Sequence, residues 1–411
     1  MFASRTNWRL DRNHFTQALE THRCSGKELF DLTVSNPTEC GLVYPEKEIL
    51  QALGNPRMMK YTPESKGLRE AREAVSGYYR QHSGFGAGTR EVDPDNVLLT
   101  SGTSEGYSHI FRLLCEPGDE VLVPAPSYPL VEFLADLADI RLISYPLFYD
   151  HGWQIDFDSL RSALTDRSRA VLVVHPNNPT GSFVKSREAA ELAQLCTSRG
   201  MAIVADEVFL DYAGQSVDAD SVAANHGAGD FAARHDARTF AKQDGALTFT
   251  LSGLSKISLL PQMKLAWIVA SGPPALLQPA VERLEVIADT YLSPGAAVQL
   301  ALPSLLSFRA GLQNQLQQRI SANLATLDAV LRESKSVTRL IRESGWYAVL
   351  RVPVTGSDED LAVNLLERSS VLVHPGHFFN FSRDGFLVIS LITPEDQFQE
   401  GSQRLGKFFE D

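Results

Sequence analysis

Between about Asn96 and Val269 the chain alternates short β-branched runs with amphipathic stretches. The runs are "NVLLT", "EVLVP", "RLISYPL", "AVLVVHP", "AIVADEV", "ALTFTL" and "KLAWIVAS". This alternation predicts an α/β fold, a mainly parallel seven-stranded sheet covered by helices on both faces. Ligands of such a sheet sit at the carboxyl ends of its strands. The texture changes from Pro274 onward, where "PALLQPAVERLEVIADTYL" and "RAGLQNQLQQRISANLATLDAVLRE" read as helices and "WYAVLRVP", "VLVHP" and "FLVISLI" as strands. That change predicts a second, smaller α+β domain. The polar, weakly periodic segment from Gln215 to Gly245 reads as a long excursion over the surface.

Five of the predicted strands end in unusual turns: "TSGTSEG", "PAPSYP", "HPNNPTG", "DEVF" and "SGLSK". Parallel strands bring such turns to one edge, which predicts one shared site. In the first turn, Gly102, Thr103 and Ser104 open an amphipathic stretch. Their N–H groups are either an ordinary helix cap or a cradle for phosphate. Asp206 ends its strand beside Glu207; a carboxylate there either caps a helix or stabilises a protonated ring nitrogen. Asn178, in "NNPTG", is either a turn former or an exposed amide able to bond a phenolate oxygen.

Composition narrows the class of partner. The 411 residues, 44% hydrophobic, exceed what one core usually holds and point to two domains or one large domain with an appendage. A net charge of −12 with no basic block argues against nucleic acid and for a small-molecule partner. Cys24, Cys40, Cys115 and Cys196 lack CxxC spacing and read as reduced, buried thiols. "MFASRTNWRLDRNHF" is too charged for a signal peptide and no run approaches a membrane span, so a cytoplasmic protein is expected.

Lys256 stands inside "LSGLSKISLLPQMK", where most lysines would be solvated surface residues. At a strand end, near a desolvated pocket and a second cation such as Lys264, its amine would have a lowered pKa and act as a nucleophile toward an aldehyde.

The ordered set "VLLTSGTSEGYSHIFRLLCEPGDEVLVPAPSYP", "PNNPTG", "ADEVF" and "SGLSK", preceded by "LFDLTVSNPTECGLVYP" and "YTPESKGLREAREAV", resembles the class I/II aminotransferases of the pyridoxal-phosphate fold type I superfamily. The resemblance spans nearly the whole chain. It implies a small domain built from both chain ends: residues 1–45 as an arm and part of it, 46–285 as the cofactor-binding large domain, and 286–411 as the rest. It further implies that Lys256 forms a Schiff base with pyridoxal 5'-phosphate and later shuttles a proton, and that Asp206 pairs with the pyridinium nitrogen. Asn178 would bond the phenolate and Tyr128 would stack on the ring. Gly102, Thr103, Ser104, Ser255 and Lys264 would surround the phosphate. Tyr61 would reach the phosphate of a neighbouring subunit, implying a homodimer with shared sites. The substrates would be an amino acid and a 2-oxo acid.

The chain also departs from that pattern. Gly253 and Lys264 stand where many relatives carry serine and arginine on the phosphate, with Ser252 or Ser255 as substitutes for the serine. Phe209 replaces a tyrosine; Tyr212 is too far along to be equated with it. In "GFLVISLIT", Val388 takes the place of the arginine that clamps the substrate carboxylate. Arg383, Arg351, His374 and His377 are the nearby groups that could replace it, each with a surface or packing role as the alternative, and Asn36 is a polar contact expected in the substrate pocket. The Pro-Gly between His374 and His377, with no acidic partner nearby, argues against a metal. Fold and cofactor do not settle the reaction: β-elimination, decarboxylation and amine transamination remain open beside amino-acid transamination. A binding protein that has lost catalysis is disfavoured by the retention of Lys256 and Asp206.

Overall fold

The computed structural model describes residues 1–8, 10–85, 91–213, 238–332 and 334–410. Near the N-terminus, β1 (Phe30–Asp31) precedes the strands of the main sheet. These are β2 (Val97–Thr100), β3 (Glu120–Ala125), β4 (Arg141–Tyr149), β5 (Trp153–Ile155), β6 (Ser168–Val174), β7 (Ala202–Asp206), β8 (Thr248–Gly253) and β9 (Ala266–Ser271). Their spatial order is β2-β9-β8-β7-β6-β3-β4-β5. The seven strands foreseen are all present, and the short β5 adds an eighth at the edge. Neighbours from β8 through β4 run parallel, whereas β9 is antiparallel to both β8 and β2, and β5 is antiparallel to β4.

The central strands are apolar on both faces because both faces are covered. In β6, Ala170 and Leu172 join one core cluster with Phe249 and Ile268, while Val171 and Val173 join another on the opposite face with Ile203 and Phe240. Each fully buried valine, leucine, isoleucine or phenylalanine among them contributes about 1.5–3 kcal/mol. A helix (Ser186–Arg199) returns the chain from β6 to β7 and ends on Gly200 in the left-handed conformation, the usual stop for a helix C-terminus.

The smaller unit holds β10 (Thr338–Arg339), β11 (Tyr347–Arg351), β12 (Val371–Leu372), β13 (His374–Pro375) and β14 (Phe386–Ser390). An antiparallel sheet of order β10-β11-β14-β13 forms its centre, and β1 pairs in parallel with β12, so the N-terminal stretch is built into the C-terminal unit. Leu32 and Phe30 share its core with Val388, Leu372 and Phe398. The boundary expected at residue 285 falls inside a helix, Pro274–Tyr291. The next helix, Ala296–Ser307, buries Ala301, Leu302 and Leu305 with Val97 and Trp267 of the main sheet, so the large core continues past that boundary.

Two further expectations change. Residues 215–237 of the presumed surface excursion lie outside the described residues, but the part that follows is core: Thr239, Phe240 and Ala241 are buried. The cause is Glu207, whose buried carboxylate accepts from Thr239 Oγ1 at 2.7 Å and from the Phe240 N–H at 2.6 Å. Cys40 and Cys196 are buried as foreseen, but Cys24, at the end of a surface helix, is exposed.

Candidate active site

The carboxyl ends of β2, β3, β6, β7 and β8 converge on a cavity of ≈ 570 Å³, bordered on the far side by the smaller unit. The structure brings Thr103, Tyr128, Asn178, Asp206, Ser255, Lys256 and Lys264 into its wall. Each arrives by a separate local device. Thr103 is the first residue of a 12-residue helix (Thr103–Leu114) with Gly102 at its N-cap and Ser104 just inside, and a Cβ on Gly102 would meet nothing within 4 Å. The positive end of that helix faces open space. Asn178 lies in a turn closed by Gly181, whose φ of +70° and approach to the Ser344 carbonyl leave no room for a side chain. Its Oδ1 is buried without a hydrogen-bond partner.

Asp206 ends β7. Its Oδ2 accepts from the Tyr107 hydroxyl at 2.8 Å and its Oδ1 from the Val208 N–H at 3.2 Å. Burial raises its pKa, opposed by those two bonds and by the charge of Lys256. Glu207 turns to the other face, and burial pushes it up to about 8.

Lys256 sits on a one-turn helix, Leu254–Ile257, directly after β8. Burial lowers its amine to about 8, with Asp206 opposing the shift; the expected contribution from Lys264 is not among the causes. Nζ lies 4.6 Å from the ring centre of Trp346 and 5.7 Å from that of Phe209. So short a helix leaves its last carbonyls unsatisfied, and side chains from three elements supply the donors. Tyr212 donates to the Lys256 carbonyl at 2.6 Å, Gln313 to that of Ile257 at 2.7 Å, and Tyr44 to that of Leu259 at 2.9 Å. Gln313 is held in turn by Asp211 at 2.7 Å. Burial alone would raise Asp211, yet the hydrogen bond and charge of His82, with Gln313 and Tyr78, keep it below its ordinary value. Tyr212 thus serves the backbone of the lysine and leaves the place of the missing tyrosine to Phe209.

Other departures have steric causes. A Cβ on Gly253 would lie 2.7 Å from Ala266 Cβ and 3.0 Å from the Leu265 carbonyl, so β9 excludes a serine there. Ser252 is buried and donates to the Glu207 carbonyl at 3.3 Å, which leaves Ser255 at the cavity. Lys264 reaches the wall from a left-handed backbone, φ +50°, a strained conformation for a lysine.

Several candidates do not reach the cavity. Asn36 caps the turn Pro37–Glu39, accepting from Thr38 N at 3.1 Å and Thr38 Oγ1 at 2.8 Å, and its neighbour Ser35 lines the wall instead. Arg383 is exposed over the Phe386 ring, Arg351 is exposed at the end of β11, and His377 faces outward, 4.0 Å from Glu359. Tyr61 is 78% exposed and borders a second cavity of ≈ 780 Å³ with Met58, Met59 and Leu292. Among the wall residues that sequence reasoning missed are Tyr107, Tyr347, Phe378 and Phe379, with Ser35. Only Tyr107 carried a usable signal: it stands four residues after Thr103, on the same helix face.

The model of the family "Aminotransferase class I and II" matches residues 27–405. A glutamate–pyruvate aminotransferase of Haemophilus influenzae is 25% identical over 398 residues, covering 94% of this chain and 92% of its own. An alanine aminotransferase of Mycobacterium bovis is 26% identical over 392 residues, covering 93% and 86%. Among solved structures, an alanine aminotransferase from Pyrococcus furiosus superposes with a TM-score of 0.84 over the full length of both chains at 21% identity, a likeness of fold.

Proposed function

The chain belongs to the class I and II aminotransferases, pyridoxal-phosphate-dependent enzymes that move an amino group between an amino acid and a 2-oxo acid, and on that premise we propose that Lys256 carries the transfer in the cavity it shares with Asp206. The observation behind the proposal is the pairing of a buried amine, lowered to about 8, with a buried carboxylate at the ends of adjacent strands. No helix among the described residues is long and apolar enough to cross a membrane.

The residues present fit the cofactor. The start of the Thr103–Leu114 helix, with Ser255 and Lys264, offers N–H, hydroxyl and ammonium donors to a phosphate. Asn178 brings to the wall an amide whose N–H groups can donate to a phenolate oxygen, and Tyr128, half-exposed at the wall, offers a ring face. The hydrogen bonds from Tyr107 and Val208 favour the ionised form of Asp206 against burial, and a protonated ring nitrogen beside it would favour that form further. When bound, pyridoxal phosphate supplies an electron-withdrawing ring that stabilises negative charge at the substrate α carbon. Lys256, neutral for part of the time near pH 8, would take the proton from the substrate α carbon and pass it on to the carbon that began as the cofactor's aldehyde, the shift that amino transfer requires. Trp346 and Phe209 keep water from its amine. We place the enzyme in the cytoplasm as a homodimer, supported by four unpaired cysteines and by Tyr61, which stands exposed beside an open cavity where a second copy can cover it.

The test is to load the protein with pyridoxal phosphate, reduce it with borohydride and map the labelled peptide. The label should fall on Lys256, and Lys256→Ala should lose both the label and amino transfer to 2-oxo acids. A label on another lysine, or full transfer by the variant, would sink the assignment. Titration with amino acids, with 2-oxo acids and with simple amines then separates amino-acid transamination from the other reactions open to this fold.

A further inference from the structure

An amino acid and a 2-oxo acid both bring a carboxylate into the cavity, and a buried carboxylate without a partner is costly. Val388 offers it nothing: the residue is fully buried in the core of the smaller unit. The register of the small sheet shows what stands beside it. Val388 of β14 is directly paired with His374 of β13, and directly opposed residues of antiparallel strands project on the same face. His374 lines the cavity, and its Nδ1 is buried with no hydrogen-bond partner. The ring is held edge-on to Phe379, 5.6 Å between centres, and tilted against Phe378 at 6.2 Å. Among the described wall residues the cationic side chains are Lys256 and Lys264, already placed at the reacting amine and the phosphate, and His374 is the remaining group able to take a positive charge.

We infer that His374 is the residue that recognises the substrate carboxylate, with its Nδ1–H in the imidazolium form donating to a carboxylate oxygen from the strand beside Val388. This rests on the proposed use of the cavity by Lys256. The charge is not resident in the free site. Burial lowers the pKa of His374, against Asp31 and a hydrogen bond with the Thr33 backbone, so the ring is neutral at pH 7 until a carboxylate arrives and favours the charged form. Binding of a carboxylate substrate therefore takes up one proton, and its affinity falls by up to about tenfold per pH unit between the free and bound pKa values. Asp31 of β1 acts on the ring, and the other titratable and charged groups among the described wall residues are Tyr347 of β11 and Lys256, Lys264, Asp206, Tyr107 and Tyr128. Their contributions remain in a His374 variant, so the comparison of variant with parent isolates the histidine.

The experiment uses the cofactor-loaded enzyme. L-Alanine, L-glutamate and L-tyrosine are each titrated between about pH 5 and 8, the range over which a histidine changes charge, with tyramine and ethylamine as partners lacking the carboxylate. The apparent Kd is read from the change in the cofactor's absorbance. His374→Gln should weaken amino-acid binding about 10–100-fold, the loss expected for a charge-assisted hydrogen bond. It should also remove the histidine component of the pH slope, leave tyramine binding within about twofold, and keep the borohydride label on Lys256. A second variant, His374→Phe, keeps the ring contacts and should show the same loss. Unchanged amino-acid binding in both variants overturns the inference. So does a parent enzyme that ignores amino acids and responds only to amines, a result that leaves Lys256 in place. Loss of the label from Lys256 in the parent would instead remove the reading on which the inference rests.

Discussion

The two walls of the cavity are built differently. On the large-sheet side, Asp206 ends a strand and Thr103, Tyr128, Asn178 and Lys256 each follow the end of one, and parallel pairing delivers strand ends to one edge whatever the side chains are. On the small-sheet side, Tyr347, His374, Phe378 and Phe379 meet Ser35 from the N-terminal stretch, and their meeting depends on the pairing of β11, β13 and β14. The first wall is mostly polar and charged, with Asp206 held by two hydrogen bonds and Asn178 Oδ1 unpartnered; the second is mostly aromatic and carries the unpartnered His374 Nδ1. Under the proposed function, the chemistry common to the family falls to the wall set by topology, and substrate choice to the wall set by register.

The largest effect that would sharpen this contrast is at Asp206. Asp206→Asn removes the anion while keeping the shape and should lower the transfer rate by about 100–1000-fold, with the Lys256 label retained. Steady-state rates on loaded protein check it, and a loss under tenfold would mean that the carboxylate is not engaged in the reaction. Next comes a steric test of the same wall. Gly253→Ser forces a Cβ against Ala266 and should cost about 1–3 kcal/mol of stability by overpacking, seen as a lower melting temperature. A variant as stable as the parent would show that β9 yields.

A smaller effect is expected one layer behind. Tyr212→Phe removes the bond to the Lys256 carbonyl and should cost about 1 kcal/mol, with a several-fold fall in kcat and little change in KM. A fall confined to KM would assign Tyr212 to substrate binding instead. Smallest of all is the pH response of the unloaded protein. Labelling of Lys256 by an amine-selective reagent should inflect near pH 8; an inflection at the ordinary 10.5 would mean a solvated amine. The sign for stability follows: between about 8 and 10.5 the unfolded chain binds the extra proton, so the penalty of burying the charged amine disappears and stability rises with pH across that window.

Much of the first wall was legible because its signals are local. A strand-like run followed by a Gly, Ser or Pro turn can be recognised from a dozen residues, and the seven strands and the motif-bearing turns were found in that way. The substrate-side expectations Asn36, Arg383 and His377 failed to reach the cavity because nearness to a motif in sequence does not choose a face. Asn36 bonds its own turn while Ser35, one residue earlier, faces the site; His377 turns outward while His374 turns in. Lys256 was readable as the buried amine, but the support of its carbonyls by Tyr44, Tyr212 and Gln313 joins residues more than 40 positions apart and leaves no local trace.

By itself the sequence determined the sheet, its chemical edge and the absence of an arginine at position 388, since all of these follow from residue types and short-range order. Only the tertiary structure decided that Gly253 cannot be serine, that Glu207 faces away to hold Thr239 and Phe240, and that His374 stands beside Val388. The reason is the same in each case: close packing and cross-strand register are set between segments far apart in the chain, where a shift of one residue turns a side chain to the opposite face.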